Sequence, residues 1–306
     1  MIYPRPLMPS FVETFTPTPS EKKSQAFESD TLDRAAASFA ERGSVALADV
    51  FDRALIDRLR EHFVGTYRRD YEDPARRRVE NVGDRRNLLV VEVAGPVNDA
   101  QLYANPLVHP LLQKLLGDDC IVGQFGAVTS LPGAADQNPH RDSPWLFGRP
   151  ETDIAVPAYA ITVVIPLVDM DVDGPGTTRV WPGTHRVFSN DAAAAMPSAD
   201  PVLPRGSCLF MDSRVRQGGT ANRSSGPRPI LYLSYQRHWF RDYDGYQVKP
   251  PVHIGELELA RVPRPHRHLF AWARADNTPE TLQLAMKRAL KRAVPDSVKA
   301  AVRRWI

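Results

Sequence analysis

The chain has 306 residues, 25% charged and 42% hydrophobic, the balance of a folded globular protein rather than a disordered or fibrous one. Its formal charge of +3 is too small to point to nucleic acid by itself. Two distant cysteines, Cys120 and Cys208, build neither a disulfide framework nor a zinc cluster, which suits a reducing, cytoplasmic setting.

No stretch approaches the ~18 apolar residues of a membrane span. Pro4, Pro6 and Pro9 break the opening segment where a signal peptide would carry its apolar run. Residues 1–28 carry Pro, Thr and Ser without periodicity and read as an extended arm. Asp30 is placed to cap a helix from Thr31 to Arg42, with Leu32, Ala35, Ala36 and Phe39 on one face and Gly43 as its stop. A strand is expected at Ser44–Ala48. Asp52 then caps a second helix with Leu55, Ile56, Leu59 and Phe63 on its buried stripe. The arginines at 68, 69, 76, 77, 78, 85 and 86 are interleaved with Asp70, Glu72, Asp73, Glu80 and Asp84, and read as a solvated, salt-bridged surface. Residues 88–93 look like a strand, and His109–Leu116 like a short helix ended by Gly117.

Between Cys120 and Tyr235 the pattern changes to strands at Ile121–Ser130, Tyr159–Leu167, Ser207–Asp212 and Pro229–Tyr235, separated by Pro- and Gly-rich turns. Without long helical crossovers, this favours an all-β barrel or jelly roll over a parallel sheet. Past Pro250 the chain reads as irregular until Pro279. An amphipathic helix is expected from Glu280 to Ala293, its stripe formed by Leu282, Met286, Ala289, Leu290 and Ala293. From Arg274 to the end there are eight basic and three acidic residues. Such a helix packs on its own domain, on a second copy as a homodimer contact, or on an anionic membrane surface.

The informative string is Asn138-Pro139-His140-Arg141-Asp142. On extended backbone, residues i and i+2 point the same way, so an imidazole and a carboxylate reach one metal ion from one side. Such a pair, with one more ligand, is the facial set of non-haem ferrous oxygenases. After it come the block from Gly174 to Arg186, containing Pro182-Gly183-Thr184-His185, then Arg205–Arg214, then Gln217–Ser224 and Arg228.

In this order and spacing the chain resembles the phytanoyl-CoA dioxygenase family of iron(II)/2-oxoglutarate oxygenases, from roughly Thr31 to Tyr235. The resemblance implies a mainly β fold, a double-stranded β-helix (jelly roll, cupin-like) with N-terminal helices on one sheet and a basic C-terminal helix. It divides the chain into the arm 1–28, a catalytic domain 29–250 and an extension 251–306. His140 and Asp142 match iron ligands, and Arg228 matches the arginine that clamps the distal carboxylate of 2-oxoglutarate. Gln124 and Thr162 match strand positions facing the keto-acid, and His185 matches a structural histidine. The family's third ligand is a histidine eleven residues before the arginine, where this chain has Gln217. Three readings follow: Gln217 binds iron through its amide oxygen, the site has lost its metal and the protein is a silent binding or partner subunit, or His238 swings in. The implied activity is oxidation of a small organic molecule, by hydroxylation, desaturation or cyclisation, in specialised metabolism, with Fe(II), 2-oxoglutarate and oxygen. Because Asp142 keeps the carboxylate ligand, halogenation is not expected.

Overall fold

The computed structural model describes residues 11–73, 79–241 and 252–276. Ten strands carry the architecture: β1 Thr14–Phe15, β2 Ser44–Leu47, β3 Val79–Gly83, β4 Arg86–Val90, β5 Ile121–Ser130, β6 Ala160–Pro166, β7 Thr178–Trp181, β8 Cys208–Asp212, β9 Arg216–Gly219 and β10 Arg228–Gln236. Eight of them form one sheet in the order β1-β2-β8-β6-β10-β5-β4-β3, antiparallel except for the β1–β2 pair. A second layer is built on the antiparallel pair β7–β9, between which the chain crosses to β8 of the first sheet. Isolated bridges widen it on both sides, His140 with Gln217 and Val180 with Ala199. These two layers make the expected jelly roll.

The central strands are buried on both faces, which is why they read as unbroken apolar runs such as Ala-Ile-Thr-Val-Val-Ile-Pro in β6. One face of the large sheet (Ile161, Val163, Phe210, Leu231, Leu233) packs with Phe39, Leu59 and Phe63 of the N-terminal helices. The other face (Val164, Leu209, Met211, Ile230) meets Val180 and Val215 of the second layer. Burying each such side chain contributes roughly 1.5–3 kcal/mol. The sandwich is therefore rigid where the inner face opens into a cavity.

The helices follow their sequence signals. Ser29–Arg42 ends at Gly43, whose φ of +73° is left-handed. A Cβ there would lie 2.5 Å from His185 Nδ1, so glycine serves both the turn and the packing. Asp52 caps Arg53–Glu72 by accepting from the Ala54 amide, and His109–Leu116 stops at Gly117. Glu28, not Asp30, stands at the first helix's N-cap.

Two expectations fail. The arm is not wholly extended: Pro19–Ser24 is helical, closed by a Thr18/Glu21 capping box whose Thr-x-x-Glu pattern was legible in the sequence. The segment after 250 is not irregular either. It contains helices Glu256–Arg261 and Ala271–Asp276 and a 3-10 stretch, Arg264–Phe270. Too short to show periodicity, these elements are held by tertiary contacts: Ile254, Leu269 and Phe270 enter the same core as Phe15 of the arm. The expected helix 280–293 lies outside the described residues. Among the described residues no helix is long and apolar enough to cross a membrane.

Candidate active site

The cavity between the two layers has a volume of about 410 Å³, within the range of small-molecule sites. His140, Asp142 and Gln217 all line it, as do Gln124, Thr162, Arg228 and Arg86.

The His-x-Asp segment is extended and fastened by its backbone. His140 exchanges amide–carbonyl hydrogen bonds with Gln217 at 2.8 and 2.9 Å. The amides of Asp142 and Ser143 donate to the Ser213 carbonyl at 2.9 and 3.0 Å. Between the two inward side chains, Arg141 turns outward and donates to the carbonyls of Arg214 and Val187 and to Asn190 Oδ1. The turn that receives Asp142 is itself braced by the buried Arg214–Asp212 ion pair at 2.7 Å.

Three side-chain ends then converge. Gln217 Nε2 lies 2.9 Å from His140 Nε2 and 2.8 Å from Asp142 Oδ1, and the latter two are 3.7 Å apart. Ligands at right angles around a divalent ion, bonded at about 2.0–2.2 Å, stand roughly 3 Å apart. The separations from Gln217 are those of hydrogen bonds made by its amide nitrogen, and only with the amide turned so that Oε1 takes that place would the three ends form such a donor set. His140 Nδ1 lies 2.9 Å from the Asn138 carbonyl, which places the ring proton there and leaves Nε2 a free lone pair facing the cavity. Asp142 Oδ2 accepts from the Thr162 hydroxyl at 2.9 Å, leaving Oδ1 for the centre. Thr162, on β6, thus orients the Asp142 carboxylate. Tyr232 completes this corner, its hydroxyl 3.3 Å from Thr162 Oγ1. Burial and the neighbouring Asp142 charge hold its phenol well above the usual range, so it stays a protonated donor.

His238 takes no part, being ion-paired on the surface with Asp119 at 2.6 Å. His185 is buried outside the cavity lining, its Nε2 3.3 Å from the Ala40 carbonyl. Burial pushes its pKa down to about 4, so it is a neutral packing residue. Gln124 is half-buried on β5, opposite Ser234 of β10.

The arginine end holds a correction. Arg86 is not part of a solvated surface cluster: none of its surface is exposed. It opens β4, two residues earlier than the strand expected at 88–93, so that Arg86, Leu88 and Val90 all face the cavity. Of its cluster, Arg68 does behave as expected, paired with Glu72 on the surface. Arg76, Arg77 and Arg78 lie outside the described residues. Arg86 and Arg228 both stand opposite Ser130, one on each side of β5. Arg228 is 2% exposed, and burial together with the Arg86 charge pushes its pKa down to about 9, still charged at neutral pH.

The sequence profile of the phytanoyl-CoA dioxygenase family matches residues 39–230, nearly two thirds of the chain. The chain belongs to the phytanoyl-CoA dioxygenase family. Curated relatives include the dioxygenase FrzG of Cladobotryum sp, 26% identical over 154 residues, covering 45% of this chain and 49% of that protein. The dioxygenase af480 of Aspergillus fumigatus is 26% identical over 161 residues, covering 51% and 50%. The chain thus spans about half the length of the curated relatives it matches. Among solved structures, the non-heme alpha ketoglutarate dependent epimerase SnoN from nogalamycin biosynthesis aligns with a TM-score of 0.53 at 20% identity, over 69% of this chain and 82% of that one. HygX from Streptomyces hygroscopicus, solved with nickel and 2-oxoglutarate bound, aligns at 0.53 and 13% identity, over 71% and 90%. These two likenesses are of fold.

Proposed function

We propose that the chain is an iron(II)/2-oxoglutarate-dependent dioxygenase that oxidises a small organic molecule in a biosynthetic pathway. The observation that carries this is the convergence of His140 Nε2, Asp142 Oδ1 and the Gln217 amide on one wall of a cavity that also holds the buried cation Arg228. His140, Asp142 and Gln217 would hold the iron, and Arg228 the distal carboxylate of 2-oxoglutarate, through the planar fork that suits a carboxylate. When bound, ferrous iron supplies oxygen activation, coupled to oxidation of 2-oxoglutarate to succinate and carbon dioxide. The other oxygen atom enters the substrate as a hydroxyl, or leaves as water when the substrate is desaturated or cyclised. Thr162 and Asn138 fix the carboxylate and imidazole donors. Leu88, Val128, Val164 and Ile230 give the cavity apolar walls that exclude water. Anaerobically prepared protein loaded with Fe(II) and then given oxygen and 2-oxoglutarate should release succinate, and no succinate under any substrate screen would refute the reading.

Gln217 also supports a second reading, a metal-free binding module. Its amide nitrogen donates toward the lone pair of His140 Nε2 and to Asp142 Oδ1, so the triad is satisfied as it stands. Oε1 and Nε2 are isosteric, and a half-turn of the amide puts the oxygen inward. A cation at the centre favours that half-turn, because N–H groups would otherwise face it. Metal analysis separates the readings: the dioxygenase holds one iron per chain at millimolar Fe(II), and the binding module holds none.

A further inference from the structure

The cavity runs on past the triad, along the inward face of β10. From Arg228 that face continues through Ile230, Tyr232, Ser234 and Gln236, all of which line the cavity. Eight residues of extended chain between Arg228 and Gln236 span roughly 27 Å. A co-substrate reaching from Arg228 to the triad occupies only the first part of that length.

From Tyr232 onward the walls change character. Ser234 stands opposite Gln124 on β5 and Thr162 on β6, and Gln236 stands opposite Ala160. The pairing of β5 with β10 skips Gly123, which makes it a bulge and turns it toward the cavity alongside Gln124. The Gln236 side chain lies across that glycine, where any Cβ would collide with Gln236 Oε1. Held there, Gln236 donates from Nε2 to the Phe240 carbonyl at 2.6 Å. That bond fixes the turn after β10 and sets Phe240 in the cavity wall. The Phe240 ring lies 4.6 Å from that of Tyr159, whose hydroxyl donates to the Pro144 carbonyl at 2.7 Å. The segment that carries Asp142 therefore also anchors the aromatic wall.

Among the described residues, this end carries no charge. Glu80 pairs with Leu88 and so falls in the row of Val128 and Ile230, toward the arginines. The Arg141 guanidinium is held outward by Arg214 and Asn190. What remains beyond Ser234 is Gly123, Ala160, Gln236 and Phe240. An ion buried there would have no counter-charge, which is costly, whereas neutral oxygens and nitrogens find hydrogen-bond partners. The surroundings are apolar too. Leu146 packs against the Tyr159–Phe240 cluster, and beside these residues in the chain stand the exposed Phe147 and Trp239.

We infer that this compartment takes the organic substrate and selects an uncharged, ring-bearing molecule, with Phe240 against the ring and Ser234 and Gln124 on its hydroxyl, carbonyl or amide groups. The inference rests on the dioxygenase reading for the reaction, while the selection follows from the walls.

The test is calorimetric titration of protein loaded with Ni(II) and 2-oxoglutarate, which fills the co-substrate end. The probes share one ring system and differ in charge at neutral pH: 2-naphthamide is uncharged, 2-naphthoate an anion and 2-naphthylmethylamine a cation. The wild type should bind the amide at least tenfold more tightly than either ion. Phe240→Leu, checked for fold by circular dichroism, should weaken the amide at least fivefold. Gln124→Lys puts a cation into the compartment and should turn the preference to 2-naphthoate, which decides the matter if Phe240→Leu does not fold. A wild type that binds an ion as well as the amide, or none of the probes, overturns the inference, as does unchanged amide affinity in folded Phe240→Leu. A loaded protein that releases succinate yet prefers an ion overturns the inference alone. If the protein takes up neither nickel nor 2-oxoglutarate, amide binding that Phe240→Leu weakens keeps the inference and refutes the dioxygenase reading.

Discussion

The two ends of the cavity are built on opposite principles. At the triad, the side chains hydrogen-bond one another: Gln217 Nε2 serves His140 and Asp142, while Asn138 and Thr162 hold the remaining atoms of those two side chains. At the arginine end, two charges sit side by side with orphaned donors and no acidic hydrogen-bond partner among the described residues. A matched network is stable in the absence of a ligand, whereas an unmatched pair of buried cations is stabilised by one. The triad therefore resembles a site that waits closed, and the arginine end one that waits for an anion.

This contrast breaks first at the triad. Gln217→Ala should abolish turnover, since it leaves two protein ligands and a hole where the third stood. Normal succinate release from the folded variant would show that the amide is not a ligand. Arg228→Ala has the complementary effect. Removing one partner of a buried charged contact costs about 3–5 kcal/mol, so 2-oxoglutarate should bind more than a hundredfold more weakly by calorimetry while iron content is unchanged. Gly219→Ala sharpens the comparison with a single methyl group. Its Cβ would displace both guanidiniums, and co-substrate affinity should fall about tenfold with iron binding retained. The kept carboxylate of Asp142 leaves no vacant ligand position for a halide, so chlorinated product from the wild type in chloride buffer would contradict the assigned triad.

A smaller effect concerns pH. His109 and His185 are buried, and burial lowers both to about 4. Each is neutral when folded and takes up a proton more readily when unfolded. Their contribution to stability is complete above the unfolded value, about 6.5, and is lost as pH falls from there toward 4. Urea midpoints should decline across that window, and His185→Gln should flatten the decline.

Much of this was legible before the structure. The strands Ile121–Ser130 and Pro229–Tyr235 and the helix His109–Leu116 follow from apolar runs and their Gly and Pro punctuation. His140 and Asp142 follow from the i, i+2 rule on extended backbone. Arg86 was missed because charge interleaving at 68–86 resembles a solvated surface, and only the register of β4 against β5 turns that residue inward. Tyr232 had a signal that went unused: from Arg228, every second residue of the strand shares one face. The Arg214–Asp212 pair depends on a tight turn between two strands, which local patterning does not specify.

The most direct measurement is metal and co-substrate stoichiometry on anaerobically prepared protein, comparing the wild type with Gln217→His. The wild type should bind one Fe(II) and one 2-oxoglutarate per chain, with iron held no more tightly than in Gln217→His. A wild type that binds no iron even at millimolar Fe(II), alongside a Gln217→His that does, would contradict the assignment of Gln217 as a working ligand and leave a silent module on this fold.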